Sequence, residues 1–288
     1  MQNNPRLGII MMVLTTSVFA MQDGISKHLA SEYNVMMVVM VRYWFFAMFV
    51  IIIAAQKSGG LKKASYTKQP LVQIIRGVLL ALQICVMVFA FSLLGLVESH
   101  AIFACYPLLV AALSGPILGE KVGWRRWLAI CTGFLGVLII LQPGITVFSP
   151  YSLWALMSAL MFALYSLLTR FVARQDIAAV SFFWTGVSGS VVMSFIGIWF
   201  WEPMISSDYG WMLLLCVTGA FGHYLLIRCY EVAEASVVQP FAYLQLVFAT
   251  SIGVLLFNET IILNVLIGVI IVISAGLFTL YRNRKLNP

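Results

Sequence analysis

A single charge interrupts the apolar segment VMMVVMVRYWFFAMFVIII, residues 35–53. The segment is long enough to cross a bilayer as a helix, and a guanidinium at the centre of such a helix costs at least about 2.5 to 3.5 kcal/mol. At 1.5 Å per residue, Arg42 lies about 10 to 12 Å below the edge of the hydrocarbon, near its midplane. A charge at this depth faces a protein interior or a cavity, so Arg42 is the first candidate for binding an electron-rich group of a ligand.

A polar stripe on the preceding apolar segment offers partners for Arg42. Thr16, Ala20, Asp23 and Lys27 follow one another at spacings of four, three and four, which place them on one face of a helix. Asp23 lies within an arginine's reach of Arg42 in depth, so we expect an ion pair or a shared water network between them. The alternatives are a purely structural pairing, or an Asp23 contact with Lys27 while Lys27 reaches outward to the headgroups.

Further polar side chains lie in apolar surroundings along the chain. Gln83 follows Arg76 by seven residues on one helix face, where it could line water or bond another helix. His223, in GAFGHYLL, lies behind two glycines that allow close backbone approach, and it could hydrogen-bond a substrate or simply pack. The remaining candidates for lining a cavity are Tyr106, Tyr165, Tyr243 and Gln245.

Catalytic chemistry finds little support in the sequence. The tetrapeptide GVSG at 186–189 has the G-x-S-G form of rhomboid intramembrane proteases, in which His223 would have to act as the base. In a chain with 21 glycines such a match is weak. There is no HExxH and no phosphate-binding GKS/T loop, and the five cysteines show no CxxC spacing. We expect no enzyme activity, no catalytic residue, no cofactor and no metal ion, and we expect the cysteines to be reduced core residues.

Composition places the chain in a membrane. Of its 288 residues 62% are hydrophobic and 9% are charged, and the mean hydropathy is +1.01. Roughly 25% charge would be usual for a soluble domain. The sequence therefore predicts an all-α integral membrane protein with almost no room for an extramembrane domain. The net charge of +7 is interpreted as a signal for orientation and not as a nucleic-acid site, because the basic residues lie mainly in short loops and at helix ends.

The apolar segments predict ten transmembrane helices. Fifteen of the seventeen basic residues fall on one side of this arrangement, which places both termini in the cytoplasm. The first segment is expected to be retained, because no small-x-small cleavage site precedes the next one. Glu120 and Glu259 lie between segments and are expected to cap helix N-termini. The predicted segments are 7–28, 35–55, 71–94, 99–118, 124–141, 152–172, 178–200, 211–230, 236–257 and 262–281.

An internal repeat relates the two halves of the chain. Phe19 and Ala20 align with Phe162 and Ala163, and the same alignment matches Lys27 with Arg170. We therefore divide the chain into five-helix halves, 1–145 and 146–288. Because five is odd, the second half is inverted in the membrane relative to the first, a construction that lets a central site open to either side. A GxxxG at residues 115–119 indicates tight packing within the bundle or at a dimer seam.

Several motifs in order resemble one family of membrane proteins. They are the lysine that ends the first helix, Arg42 followed by the aromatics YWFF, Pro107 in the fourth helix, LGE at 118–120 and GHYLL at 222–226. Together they resemble the EamA-type branch of the drug/metabolite transporter superfamily, which includes amino acid exporters and importers of riboflavin or S-adenosylmethionine. The resemblance implies a secondary transporter with a cavity lined by helices one to four and six to nine. Leu246 stands where the second half often carries a proline, so no kink is expected in the ninth helix.

The sequence thus predicts an inner-membrane carrier for a small organic metabolite, an amino acid or similar amphipathic compound, that works by alternating access. Arg42 would anchor a carboxylate. His223 and the polar side chains named above would hydrogen-bond the remainder of the substrate. The expected partners are the metabolite and the lipid bilayer, with no nucleic acid, and the protein is expected to be a monomer or homodimer. An intramembrane serine protease, or a receptor or channel that does not transport, is the alternative.

Overall fold

The computed structural model of the protein describes residues 4–56, 60–119, 123–141, 149–233 and 235–286. Within these ranges the chain is all-helical and contains no strand. The predicted all-α class is confirmed. Glu120, one of the two predicted caps, lies outside the described residues.

The helices follow the apolar segments of the sequence. By length and composition, six helical stretches of the described residues can cross a membrane: Pro5–Glu32, Val35–Gln56, Pro70–Phe103, Ser152–Val172, Ala178–Phe200 and Ser206–Val232. The helices are α1 Pro5–Glu32, α2 Val35–Gln56, α3 Gly60–Ser65, α4 Pro70–Phe103, α5 Tyr106–Leu118, α6 Trp124–Leu141, α7 Ser152–Val172, α8 Ala178–Gly197, α9 Tyr209–Val232, α10 Ala235–Ala242, α11 Leu244–Phe257 and α12 Leu263–Leu286. Short 3-10 turns at Ile198–Phe200 and Ser206–Asp208 connect α8 to α9.

Two of the interruptions among the described helices lie at Gly95 and Tyr243, and a third, at residues 104–105, separates α4 from α5. α4 contains a non-helical residue, Gly95, with φ 80° and ψ 175°, a conformation that glycine adopts readily. The second break separates α10 from α11 at Tyr243, where the backbone N–H of Leu246 donates to the carbonyl of Tyr243 at 3.1 Å. The expectation that this segment would be continuous because residue 246 is not proline was therefore wrong. A tight turn breaks the helix there without a proline at that position.

The break at Gly95 is held by a carboxylate from the other half of the chain. The backbone N–H groups of Leu96 and Val97 donate to Glu259 at 2.9 and 2.7 Å, so this acid caps the helix that resumes after Gly95. Lys27 completes the cluster by pairing with Glu259. Glu259 thus caps a helix N-terminus, but not the one that follows it in the chain, where the sequence predicted the cap. The alternative in which Lys27 contacts Asp23 and reaches outward to the headgroups is wrong, because Glu259 pairs with its ammonium.

Two long helix pairs form the middle of the bundle. α1 packs along α9, and α4 packs along α7. Outside these pairs α2 lies on α8, α6 lies on α12, α11 contacts α1, and α5 contacts α7. The short helix α3 rests on α2 and α8, where the indole N–H of Trp184 donates to the carbonyl of Ser65 at 3.2 Å. This packing brings polar side chains of α1, α2, α4, α9 and α11 to one place.

Two smaller predictions need correction. Gly119 ends α5 in a left-handed conformation, with φ 72° and no atom close to the position of a Cβ, so it is a C-cap rather than a helix-packing glycine. Four cysteines are free and buried as expected, but Cys131 on α6 is exposed on the outer surface of the bundle. Neither change affects the arrangement of the central helices.

Candidate functional site

A small polar cavity lies at the centre of the bundle between α1, α2, α4, α7, α9 and α11. Its volume is about 40 Å³, which is room for a few water molecules. Five of the residues predicted to bind a ligand lie on its wall, together with nine others. The lining residues are Phe19, Gln22, Asp23, Arg42, Gln83, Ile84, Met87, Val88, Phe91, His100, Phe103, Phe162, His223 and Gln245.

Arg42 is buried, with 3% of its surface exposed, and only part of its guanidinium is hydrogen-bonded. Its Nη2 donates to Oε1 of Gln22 at 3.0 Å and lies 3.3 Å from Nε2 of His223. Among the described residues, neither Nε nor Nη1 has a hydrogen-bond partner, and no carboxylate lies within ion-pair distance. Gly219 allows this placement, because a Cβ there would lie 2.5 Å from Nε of Arg42.

The contact with Arg42 fixes the protonation of His223. A guanidinium can only donate, so Nε2 of His223 accepts, and the ring is neutral with its hydrogen on Nδ1. His223 is 2% exposed, and its Nδ1 has no hydrogen-bond partner among the described residues. The ring packs against Phe19, with centroids 4.9 Å apart. His223 therefore carries an unused donor next to the incompletely bonded guanidinium.

Asp23 is the acidic residue in the wall of the cavity that Arg42 also lines. Its Oδ2 accepts a hydrogen bond from Nε2 of Gln245 at 3.0 Å and lies 3.2 Å from Nε2 of His100. The histidine contact is close enough for an ion pair but lacks the alignment of a hydrogen bond. The hypothesis of a direct Asp23–Arg42 ion pair is wrong, because Asp23 turns toward α4 and α11. The two charges nevertheless line the same cavity.

Aromatic rings close the cavity around these polar groups. Phe103 and Phe162 lie 5.5 Å apart between ring centroids, and Phe19 meets Phe162 edge-on at 6.4 Å. Phe91 stacks on the imidazole of His100 at 5.3 Å. Such rings can cover an apolar or aromatic part of a ligand while the polar groups orient it.

Gln83 and Thr16 have local partners. Gln83 lines the cavity and donates to Oγ of Ser158 at 2.7 Å, which joins α4 to α7. Thr16 is buried but donates to the carbonyl of Val13 in its own helix at 2.8 Å, and it does not line the cavity. Gln83 is therefore both an interhelical link and a lining residue.

The three predicted tyrosines lie outside the central cavity. Tyr106 and Tyr243 line a neighbouring cavity of about 10 Å³, and His100 and Gln245 lie between the two spaces. Tyr165 lies toward Arg76, with its hydroxyl 3.4 Å from Nη1 of that residue. The small neighbouring cavity lies beside the break at Tyr243.

Arg76, which the sequence placed on the same helix face as Gln83, is a second buried arginine. No part of Arg76 is exposed. Its guanidinium donates to Gln73 at 2.9 Å, to Thr185 at 2.8 Å and to Thr169 at 3.2 Å. Gln73 in turn donates to Asp176 at 2.8 Å, so a carboxylate lies one residue away. This network joins α4, α7 and α8 below the cavity.

Sequence reasoning missed Gln22 and His100. Gln22 directly precedes Asp23, and its proximity to an intramembrane carboxylate was an available signal. His100 was placed at the start of the fourth predicted span, where it was not recognised as buried. The break at Gly95 sets the helix direction that turns it toward Asp23.

The family model and the named relatives that this chain matches are all transporters. The model of the EamA-like transporter family matches residues 6–142 and again residues 149–281. The S-adenosylmethionine uptake transporter of Rickettsia prowazekii (strain Madrid E) is 25% identical, over 96% of this chain and 94% of that protein. The riboflavin transporter of Vibrio cholerae serotype O1 is 25% identical, over 99% of this chain and 96% of that protein.

A crystal structure of a protein with 16% sequence identity superposes with a TM-score of 0.70, covering 100% of each chain, which shows a shared fold. The family match covers nearly the whole chain in two consecutive copies. The chain belongs to the EamA-like transporter family.

Proposed function

We propose that the protein is a secondary transporter that moves a small organic metabolite, an amino acid or similar amphipathic compound, across the inner membrane by alternating access. The observation that carries this proposal is the guanidinium of Arg42, buried and facing a central cavity with two of its three nitrogens unbonded among the described residues. A buried charge is costly unless it is paired, so a carboxylate that enters the cavity would be bound strongly.

The charges of the cavity favour a zwitterion. Arg42 at one end would bind a carboxylate, with Nδ1–H of His223 as an additional donor beside it. Asp23 at the other end would bind an ammonium group in place of its contact with His100. S-adenosylmethionine, the compound named for the Rickettsia relative, carries an amino-acid group and an aromatic base. Riboflavin has an aromatic ring system but no amino-acid group, so the two charges favour the first compound.

The architecture of the proposed carrier is ten transmembrane helices in two inverted repeats, 1–145 and 146–288. The two consecutive matches of the family model support this division. The helix pairs support it as well, because α1 of the first half packs on α9 of the second, and α7 of the second half packs on α4 of the first in the corresponding way. Both termini would lie in the cytoplasm, as the basic loops suggest.

Transport requires a larger cavity than the one observed. Sites for small organic molecules usually have volumes of about 300 to 1,000 Å³, whereas the central cavity has about 40 Å³. The bundle would therefore admit its substrate by separating helices on one side, and rocking of the two repeats would open it to either side in turn.

The serine protease alternative has no support in the geometry. The hydroxyl of Ser188 donates to the carbonyl of Trp184, and Gly77 of α4 packs directly on it. His223, the required base, is instead in contact with Arg42. Ser188 is a helix-packing residue.

Reconstituted vesicles test the proposal. Purified protein in proteoliposomes should take up labelled S-adenosylmethionine saturably and should exchange it in counterflow. Riboflavin is the comparison substrate. Arg42→Ala should lower uptake about 100-fold, since a charge-assisted hydrogen bond contributes about 1.5 to 3 kcal/mol. Arg42→Lys should restore only part of the loss, because an ammonium cannot bind a carboxylate in two places.

Arg6→Ala and Arg6→Lys are the matched controls, since Arg6 is exposed at the start of α1. Both should transport like the unchanged protein. Flux without saturation or counterflow would indicate a channel, and binding without flux would indicate a receptor. Unchanged uptake by both Arg42 variants would contradict the assigned anchor.

A further inference from the structure

A second, larger cavity opens on the side of the bundle. It has a volume of about 460 Å³ and lies between α2, α3, α8 and α9. We call it the lateral groove, and the residues that define it are Phe49, Ile53, Ala64, Ala179, Ala220 and Tyr224. It is separate from the polar cavity, and the two share no lining residue in the part of the chain that the structure describes.

The lateral groove faces the surroundings of the bundle. On its rim Phe49 is 39% exposed and Tyr224 is 41% exposed. The walls are formed almost entirely by aliphatic and aromatic side chains, so water inside would find few hydrogen-bond partners. At membrane depth the available filling for such a space is a hydrocarbon chain.

Positive charge lies where the lateral groove reaches the end of the bundle. Ala64 of α3 lines the groove, and its neighbours Lys62 and Lys63 are exposed. Among the described residues, neither lysine forms an ion pair. The hydrogen bond from Trp184 to the carbonyl of Ser65 fixes α3 against α8. Two lysines that form no ion pair among the described residues thus directly precede a residue that lines the apolar groove.

We propose that the lateral groove binds one anionic phospholipid, with an acyl chain between α2, α8 and α9 and the phosphate beside Lys62 and Lys63. Apolar walls and a cationic end match the two parts of such a lipid, and basic residues next to a membrane attract anionic headgroups. The proposal does not depend on which metabolite is carried.

A bound lipid would also support the polar cavity. Ala220 of the lateral groove directly follows Gly219, against which the guanidinium of Arg42 packs. Phe182, another lining residue, contacts Phe46 with ring centroids 4.8 Å apart. Filling the groove would hold α2 and α9 together at the level of Arg42.

Native mass spectrometry of delipidated protein tests the proposal with two probes, dioleoyl phosphatidylglycerol and dioleoyl phosphatidylcholine. We expect one phosphatidylglycerol to be retained at least tenfold more than phosphatidylcholine. Lys62→Gln/Lys63→Gln should abolish this preference. The charge-matched control is Arg6→Gln/Arg174→Gln, at two exposed positions that are not among the lining residues of the groove. It should keep the preference.

The proposed binding of an acyl chain in the lateral groove is tested by a substitution that fills the groove with a larger side chain. Ala179 is exposed and lines it, so Ala179→Phe should remove retention of both lipids without disturbing the core. Ala55→Phe is the control, since Ala55 is exposed on α2 and does not line the groove. Equal retention of the two lipids by the unchanged protein, or full retention by Ala179→Phe, would overturn the proposal. Thermal unfolding of each variant establishes that it is folded.

Discussion

Arg42 and Arg76 are both buried in the bundle, and they differ in how completely their guanidinium groups are hydrogen-bonded. Arg76 donates to side chains of three helices, and an aspartate lies behind its glutamine partner. Arg42 lines a cavity and uses one nitrogen for Gln22 and His223, and its other two nitrogens have no hydrogen-bond partner among the described residues. Burial alone therefore does not identify a binding residue. The unused hydrogen-bonding capacity of Arg42 makes it the candidate, because only that group would gain hydrogen bonds from a ligand.

Replacing Arg76 should have the largest effect on stability. Arg76→Met would leave the oxygens of Gln73, Thr169 and Thr185 without their donor, and each buried unsatisfied group costs about 1 to 3 kcal/mol. We expect the free energy of unfolding to fall by about 3 to 5 kcal/mol, measured by denaturant unfolding in detergent. Arg42→Ala should lower it less, because it leaves two acceptors, on Gln22 and His223, without their donor but also removes a buried charge that has no ion-pair partner among the described residues. Equal losses in the two variants would remove the distinction drawn between the two arginines.

Replacing Asp23 tests whether its carboxylate binds the ammonium group of a substrate. Asp23→Asn keeps the shape of the side chain and can still accept from Gln245, but it removes the charge. For a zwitterionic substrate we expect affinity in the uptake assay to fall about tenfold, which corresponds to about 1.4 kcal/mol. Inhibition by a carboxylate lacking the ammonium group should not change. A similar loss for both compounds would show that Asp23 acts on the fold rather than on the ligand.

Glu259 is paired with Lys27, unlike Arg42, which has no ion-pair partner among the described residues. Burial alone would raise the pKa of Glu259, but the hydrogen bonds from Lys27 and from the backbone of Val97 and Leu96 outweigh it, so the pKa is lowered from its ordinary value of 4.5. A lowered pKa means that the ionised acid stabilises the folded state at pH values above 4.5. This contribution is lost as the pH falls further, through the lowered pKa.

Glu259→Gln should accordingly lower the free energy of unfolding at pH 7 by about 1 to 2 kcal/mol, and the difference from the unchanged protein should shrink below about pH 4. Thermal unfolding at several pH values measures it. Glu32→Gln is the control, because Glu32 is exposed at the end of α1. A difference that persists at low pH would show that the carboxylate charge is not the cause.

The smallest effect is expected at Ser188. Ser188→Ala removes a hydroxyl that bonds only within its own helix, so stability should change by less than about 1 kcal/mol and transport should be unchanged. Substrate uptake is measured for Ser188→Ala and Arg42→Ala in the same assay, so that the loss in Arg42→Ala shows how large an effect at the proposed site would be. Loss of transport in Ser188→Ala at normal stability would reopen a chemical role for this serine.

Much of the fold and part of the site could be predicted from the sequence. Helix positions followed from apolar length, and the five cavity-lining predictions Arg42, Asp23, Gln83, His223 and Gln245 followed from polar residues in apolar runs. Thr16 and the three tyrosines came from the same reasoning, yet they lie elsewhere. Helix periodicity gives the face of a residue but not the neighbour that this face meets.

The sequence by itself determined the membrane environment, the helical class and the high cost of a charge at Arg42. Those properties depend on composition and on local spacing. Only the tertiary structure decided which polar groups meet, since Arg42 reaches His223 across 181 residues and Gln245 reaches Asp23 across 222. It also decided that Arg76 is satisfied while Arg42 is not. Hydrogen bonding depends on distances of about 3 Å between helices, and these are set by packing and by the breaks at Gly95 and Tyr243.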